Sequence, residues 1–410
     1  MAVLWSNDLA IAETGTFIDR YTPSDLRVVT YNPLFDTIFS EVSPTQAAKF
    51  ERIVAALDPD ILHLQEITAS TRFTLQLMNT IAPLNNGNGW YAHKGRNNVT
   101  LSKYPLSMTA TNTLPSGGRD QAISLVDLPD DQFDADFYFM NNHYVCCGGE
   151  DNDLIRQPHS DSIVNWLRDA RTPGGFIDLP PGTPFAVVGD LNIVGASQPL
   201  DTLVDGNIIN EALFGSDSPP DWDGSSLTDA RPLHNGSLAD DYTWRDDNQI
   251  FDPGRLDYVI YTDTTLDVGN QFVLNTVAMS NQERAATGLQ EFDVTLDNVG
   301  ATFDHLPVVV DFRIVAAADE DFNFDRLVDG TDLAVWESGF GLASDAARNQ
   351  GDANGDLDVD GHDFLRWQQQ IASSASPSTA TIPEPATVVF LLIGAGIVLT
   401  GSRCDDRRLI

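Results

Sequence analysis

The stretch Ala186-Val-Val-Gly-Asp-Leu-Asn192 constrains this chain more than any other. An apolar run ending in a glycine reads as a buried strand that stops abruptly. It then offers a carboxylate and a carboxamide two residues apart. Side chains at i and i+2 of an extended backbone share one side, so Asp190 and Asn192 would project together past the strand's C-terminal end. Open α/β sheets keep their sites there. A strand closed by an Asx turn has the same look, and the pattern gains weight because other segments are built alike.

Leu26 to Asn32 is an apolar run ending on a polar residue. Ser43-Pro44 then supplies an N-cap and a proline at the first helical position, and Ala47, Phe50, Ile53, Val54 and Leu57 follow at helical spacing until Asp58-Pro59 stops the helix. Ile61 to Glu66 is a second apolar strand that ends in an ionisable group. Together these make a βαβ-like unit, which places Asn32 and Glu66 at one edge. The spacing predicts a helix over 68–81, short strands over 90–127, a strand over 137–143 delivering His143, and an amphipathic helix over 155–167. A polar, Gly/Pro/Asp-rich excursion runs from Gln198 to Asp247. After it, a strand carries Asp257, and Asp304-His305 immediately precedes a last strand, Pro307 to Phe312.

Single histidines in apolar strands are usually core residues, which is the reading for His63 and His93. His159 and His234 stand in polar surroundings and read as surface. His143 and His305 abut the group formed by Asn32, Glu66, Asp190 and Asn192. Glu66, Asp190 and Asp304 would bring several negative charges together, tolerable only if a cation or protons share the space. Oxygen donors with a neutral Asn suit a hard ion, Mg²⁺ or Mn²⁺, and there is no His/Cys spacing for zinc. Such an ion beside two histidines is what phosphoester hydrolysis requires.

Thr30-Tyr31-Asn32, Gln65-Glu66, Asn142-His143, Gly189-Asp190-Leu191-Asn192, Arg255-Leu256-Asp257-Tyr258 and Asp304-His305-Leu306-Pro307 together resemble the signature set of the endonuclease/exonuclease/phosphatase superfamily. The resemblance runs from residue 26 to about 314. It implies a four-layer α/β/β/α sandwich of the deoxyribonuclease-I-like kind and metal-dependent hydrolysis of phosphoesters. It also implies roles: Glu66 as metal ligand with Asn32 as its helper, and Asp304 near the metal. Asp190 would activate or orient the attacking water, Asn192 hold phosphate, and His143 donate to the phosphate or leaving group. Asp257 would orient His305, which stabilises the pentavalent phosphorus or assists the water. The substrate stays open among nucleic acid, a sphingomyelinase-type head group and a small phosphoester. A net charge of −37 repels polyanions at long range, so duplex DNA would need local contacts from Arg96, Lys103, Arg119 or Arg245. A non-catalytic surface adhesion or scaffold protein is the reading from another class, and six segments in order speak against it.

The composition shifts near residue 316. The organisation expected is an N-terminal extension (1–24), the phosphoesterase domain (25–316), tandem repeats (317–372), a linker (373–382) and a C-terminal tail (383–410). The repeats are twelve-residue loops 31 residues apart, with oxygen side chains at Asp321, Asn323, Asp325, Asp329 and Asp332, and at Asp352, Asn354, Asp356, Asp358, Asp360 and Asp363. That is calcium-site spacing, each loop running into a helix with Trp336 or Trp367. Asp at position 12 and no Gly at position 6 depart from sensor EF-hands; the pair resembles dockerin modules, which implies Ca²⁺ and a cohesin-like partner. The tail joins Pro383-Glu384-Pro385 to an apolar stretch over 386–400 and to Arg403, Arg407 and Arg408. It resembles a PEP-CTERM sorting tail, which implies a transmembrane helix, an exosortase-type processing enzyme and an exported, surface-held or extracellular protein. The start at Met1 lacks the basic and apolar run of a signal peptide, so the true start is expected upstream. Three cysteines make no disulfide framework, and Cys146-Cys147 are expected as buried thiols.

Overall fold

The computed structural model describes residues 15–84, 87–113, 120–246, 251–294, 303–315 and 318–374. The expected sorting tail and its membrane helix lie outside these residues, as do most of the linker, the first fourteen residues, Arg119 and Cys404. No helix among the described residues is long and apolar enough to cross a membrane.

The chain begins β1 (Leu26–Tyr31), α1 (Pro44–Leu57), β2 (Ile61–Leu64), α2 (Thr71–Ile81), β3 (Tyr91–Lys94), β4 (Val99–Ser102), β5 (Leu106–Thr113), β6 (Asp120–Val126) and β7 (Phe137–His143). It continues with α3 (Glu150–Ala170), β8 (Phe185–Asp190), α4 (Gln198–Asp205), α5 (Glu211–Phe214), β9 (Thr228–Ala230), β10 (Asp257–Tyr261), β11 (Leu266–Val273), α6 (Asn281–Thr287) and β12 (Val308–Ile314). Two helices, α7 (Gly330–Gly339) and α8 (Gly361–Ser374), belong to the acidic repeats.

The strands form two six-stranded mixed sheets, ordered β11-β12-β1-β2-β4-β3 and β5-β6-β7-β8-β10-β9. Each is built on a central parallel pair, β1 with β2 and β7 with β8, joined by a crossover helix and flanked by antiparallel strands. The α/β sandwich expected from sequence is therefore present. Its inner core joins Val28, Phe137, Phe139, Ala186, Val188, Val259 and Phe312, all buried. The alternating residues Tyr138, Met140, Val187 and Ile260 meet Ile163 and Leu167 of α3 on the outer face of the second sheet. Strands covered on both faces read as unbroken apolar runs, which is why they were visible in the sequence.

Local signals also hold. Ser43 caps α1 by accepting from Gln46 N–H, and Asp58 ends it in the left-handed conformation. Asn141 staples the sheets together, accepting from Gln65 Nε2 at 2.8 Å and donating to Val99 O at 3.1 Å. Arg27 and Asp311 form a buried bidentate pair, both contacts 2.7 Å.

The polar 198–247 excursion holds α4, α5 and the edge strand β9. Two expectations are corrected. His159 and His234 are buried rather than superficial. His159 lies on the inner face of α3 with Arg156, Ser160, Ile163 and Leu167, against the Tyr144 ring; His234 bridges Tyr242 O and Asn275. Polar sequence neighbours did not report burial, because helical and turn geometry turned these two inward. Cys146 and Cys147 are exposed, since the chain leaves the sheet at Tyr144 and runs over the surface into α3. His63 is buried and bonded to Thr100 through Nδ1, while His93 is half-buried and bonded to Ala110 O.

Candidate active site

Parallel pairing sets the geometry. In the second sheet β7 and β8 run side by side in register, so His143 lies opposite Asp190, and β10 pairs antiparallel so that Asp257 also lies opposite Asp190. Gly189 makes this approach feasible: its φ is 124°, and a Cβ there would stand 2.0 Å from Asn142 O. In the first sheet β1 and β2 end together, carrying Asn32 and Glu66 to the same edge.

The two edges meet. Asn32 Nδ2 donates to Asp190 Oδ2 at 3.0 Å, which joins the sheets at the site. His143 Nε2 stands 3.8 Å from Glu66 Oε1 and 3.5 Å from Asp190 Oδ2. His305 Nε2 is 3.8 Å from the same Asp190 oxygen, and its Nδ1 is 2.7 Å from Asp257 Oδ2. Glu66, His143, Asp190, Asp257 and His305 are thus within one cluster with Asn32. Asn192 follows in the left-handed conformation, its N–H bonded to Asp190 Oδ1 and its Nδ2 donating to Tyr144 O at 3.3 Å. Asp304 accepts from Trp244 Nε1 at 3.1 Å.

The electrostatics follow from burial. Burial pushes the Asp190 carboxyl well up, and Asp257 and Glu66 add to this; His305 and the Asn32 hydrogen bond oppose it. Burial alone would depress His305, but Asp257, Asp190 and the hydrogen bond it donates to Asp257 outweigh it and hold the imidazole well above its ordinary range. His305 thus lies between Asp190 and Asp257, and this setting favours its protonated form. Buried Asp257 Oδ1 and Asp304 Oδ1 have no hydrogen-bond partner, and Asp190, Asp257 and His305 offer ligand atoms within 4.8 Å of one another. Unpartnered carboxylate oxygens beside a carboxylate resisting ionisation are the donor set a hard divalent cation would satisfy.

Sequence reasoning missed the residues that hold this cluster in place. Asn97 Nδ2 is 3.0 Å from His143 Nδ1. Thr243 Oγ1 accepts from both Leu256 N–H and Asp257 N–H, fixing the start of β10. Trp244 orients Asp304. The polar doublet Asn97-Asn98 before an apolar run was a signal of the same type as the strand ends, read from the other end. Thr243-Trp244 gave none, being two residues in a polar segment.

The acidic repeats form a second carboxylate-rich region. Asp332 accepts from Phe322, Asn323 and Asp329 N–H, and Asp363 accepts from Ala353, Asn354 and Asp360 N–H, so the two twelfth positions close their loops identically. Asp321 and Asp352 likewise accept from the backbone at the sixth position. Those sixth residues, Arg326 and Leu357, have φ of 67° and 70°, the conformation glycine would favour. Trp336 Nε1 donates to Asp360 O and Trp367 Nε1 to Asp329 O, so each helix ties down the other's loop.

Among solved structures, the human Nocturnin catalytic domain is similar at TM-score 0.45 and 16% identity, over 72% of this chain and 96% of that one. TDP2 of Caenorhabditis elegans is similar at TM-score 0.45 and 15% identity, over 70% and 97%. A mannosyl-6-phosphatase of Bacteroides thetaiotaomicron is similar at TM-score 0.45 and 17% identity, over 70% and 99%. No curated protein matches by sequence. Residues 30–280, more than half of the chain, match the model of the Endonuclease/Exonuclease/phosphatase family, and the chain belongs to that family.

Proposed function

We propose that the chain hydrolyses phosphodiester bonds with a divalent metal, acting as a nuclease. The observation that supports this best is the meeting of Glu66, Asp190, Asn32, His143 and the His305–Asp257 pair at the facing edges of two sheets. Glu66 and Asp304, helped by Asn32, would hold Mg²⁺ or Mn²⁺, which when bound neutralises charge developing on the phosphoryl oxygens.

The protein groups supply the rest. With the amide as oriented, Asn97 donates to His143 Nδ1, so the His143 proton sits on Nε2, the atom from which a phosphate or leaving oxygen would take it. Asp257 accepts the Nδ1 proton of His305 and favours its protonated form, so Nε2–H faces Asp190 and any phosphorus drawn in beside it. Asp190 is the group to orient the attacking water, because its Oδ2 lies within reach of both imidazoles. Asn192 is assigned to phosphate, its backbone locked by Asp190.

A sphingomyelin-type head group or a small phosphoester is the rival substrate, favoured by the chain's acidity, which leaves few cations to neutralise a long polyanion. The repeats are proposed to bind Ca²⁺ through Asp321, Asn323, Asp325, Asp329 and Asp332 and their counterparts, with a cohesin-like domain as the proposed docking partner, and the tail to direct export and exosortase-type processing. A Mg²⁺-dependent screen against DNA, RNA, sphingomyelin and a generic diester, repeated with EDTA, tests the reading. Turnover of a diester abolished by EDTA supports it; no turnover of any substrate, or turnover indifferent to EDTA, overturns it.

A further inference from the structure

The two acidic loops share a backbone but differ in what they do with it. At their fourth and sixth positions both chains enter the left-handed region: Phe324 and Arg326 in the first loop (φ 61° and 67°), Gly355 and Leu357 in the second (φ 75° and 70°). Leu357 is 53% exposed, whereas Phe324 is 1% exposed. The left-handed backbone is thus common to both loops, and what surrounds the side chains sets them apart.

The surroundings here are the hydrolase domain. Phe324 packs so closely on Gly182 that a Cβ there would stand 2.7 Å from its ring, and its centroid is 6.0 Å from that of Trp222. Arg326 donates through Nε to Thr264 O at 2.8 Å, through Nη1 to Asp267 Oδ1 at 2.7 Å, and through Nη2 to Leu266 O at 3.0 Å and to Asp263 O. These acceptors lie on the turn after β10 and the first two residues of β11. The receiving surface is itself fixed, because Asp221 accepts from Asp263 N–H and the Thr264 hydroxyl, and Trp222 Nε1 donates to Thr183 O. Within the first loop the same backbone groups are held by Asp321, which accepts from Arg326 N–H at 3.0 Å. One residue therefore touches the acidic loop with its backbone and the hydrolase domain with its side chain.

We propose that the repeat module is docked on the hydrolase domain rather than tethered to it, and that cation binding at the first loop is linked through Phe324 and Arg326 to the stability of the 263–267 turn. The linkage rests on the calcium reading above; the docking does not. A cation that orders the loop carrying the Arg326 backbone stabilises every contact made from that loop, while Leu357, at the matching position of the second loop, faces solvent.

Hydrogen exchange of the full chain, read on peptides covering 263–267 with Ca²⁺ or EGTA, tests this beside calorimetric Ca²⁺ uptake. In the wild type, Ca²⁺ slows exchange there at least about fivefold. Arg326→Gly removes the side chain and leaves a residue that favours the left-handed backbone, so it keeps Ca²⁺ uptake, exchanges faster at 263–267 in EGTA, and loses the Ca²⁺ response. Leu357→Gly behaves as wild type at 263–267. Uptake of Ca²⁺ without any change at 263–267 in the wild type overturns the linkage. Absence of Ca²⁺ uptake overturns the calcium reading instead, and the docking is then judged by Arg326→Gly in EGTA: faster exchange upholds it, wild-type exchange overturns it.

Discussion

Two regions of this molecule gather carboxylates, and they handle the charge in opposite ways. In the cleft, Asp190 and Asp257 are buried and flank the His305 ring, with the His143 ring and the Asn32 amide close by. In the repeats, Asp321, Asp332, Asp352 and Asp363 accept backbone N–H groups, and the half-buried Asp329 and Asp360 accept N–H groups of their own loops as well. His305 lies among the cleft carboxylates, so part of their charge is offset before any metal arrives. The loops offset theirs mainly with backbone N–H dipoles, with His362 beside Asp360 in the second, so their order depends far more on what they bind.

That contrast can be broken at several points. Asp190→Asn or Glu66→Gln should lower kcat/KM by roughly 10³–10⁴-fold, at the upper end of what a group acting on the reacting centre contributes, with the melting temperature unchanged or raised. The raised Asp190 pKa gives the sign: burial of that carboxylate already disfavours folding, so its removal does not destabilise. Steady-state kinetics and thermal melts check both halves. Asp257→Asn leaves His305 in place but removes the anion that favours its protonated form, and a loss of about 10²-fold in kcat is expected with a displaced pH profile.

Chelation sharpens the comparison from the other side. EGTA should leave the hydrolase core folded while loosening α7 and α8, seen as a loss of helical circular dichroism that Ca²⁺ restores. Equal loosening of both regions would mean that the cleft is not neutralised by its own histidines. The smallest effect is expected for Asn97→Ala, which removes one hydrogen bond to His143 and should cost tenfold or less in kcat, about 1 kcal/mol.

Much of the fold was legible because the strands that carry the site are covered on both faces, so β1, β2, β7, β8 and β12 appear as apolar runs with polar ends. The helix starting at Ser43-Pro44 was legible through its cap. What the sequence did not disclose was decided by tertiary packing: β11, with its polar and glycine-containing run and a register shift between Val268 and Gln271, shows no alternation to read. The site residues themselves could be named from strand ends, yet the residues that hold them could not, since Trp244 and Thr243 act on Asp304 and Asp257 from segments far away in the chain. The asymmetry between the repeats was visible as Phe324 and Arg326 facing Gly355 and Leu357, but its meaning needed the neighbouring turn.

The central claim is that the facing sheet edges hold one divalent cation through Glu66. Titrating Mn²⁺ into full-length protein whose loops are first saturated with Ca²⁺, and following bound Mn²⁺ by electron paramagnetic resonance, addresses it directly. Wild-type protein should take up Mn²⁺ at a site that disappears in Glu66→Gln together with hydrolysis; equal Mn²⁺ uptake and turnover in both proteins would mean that Glu66 holds no metal.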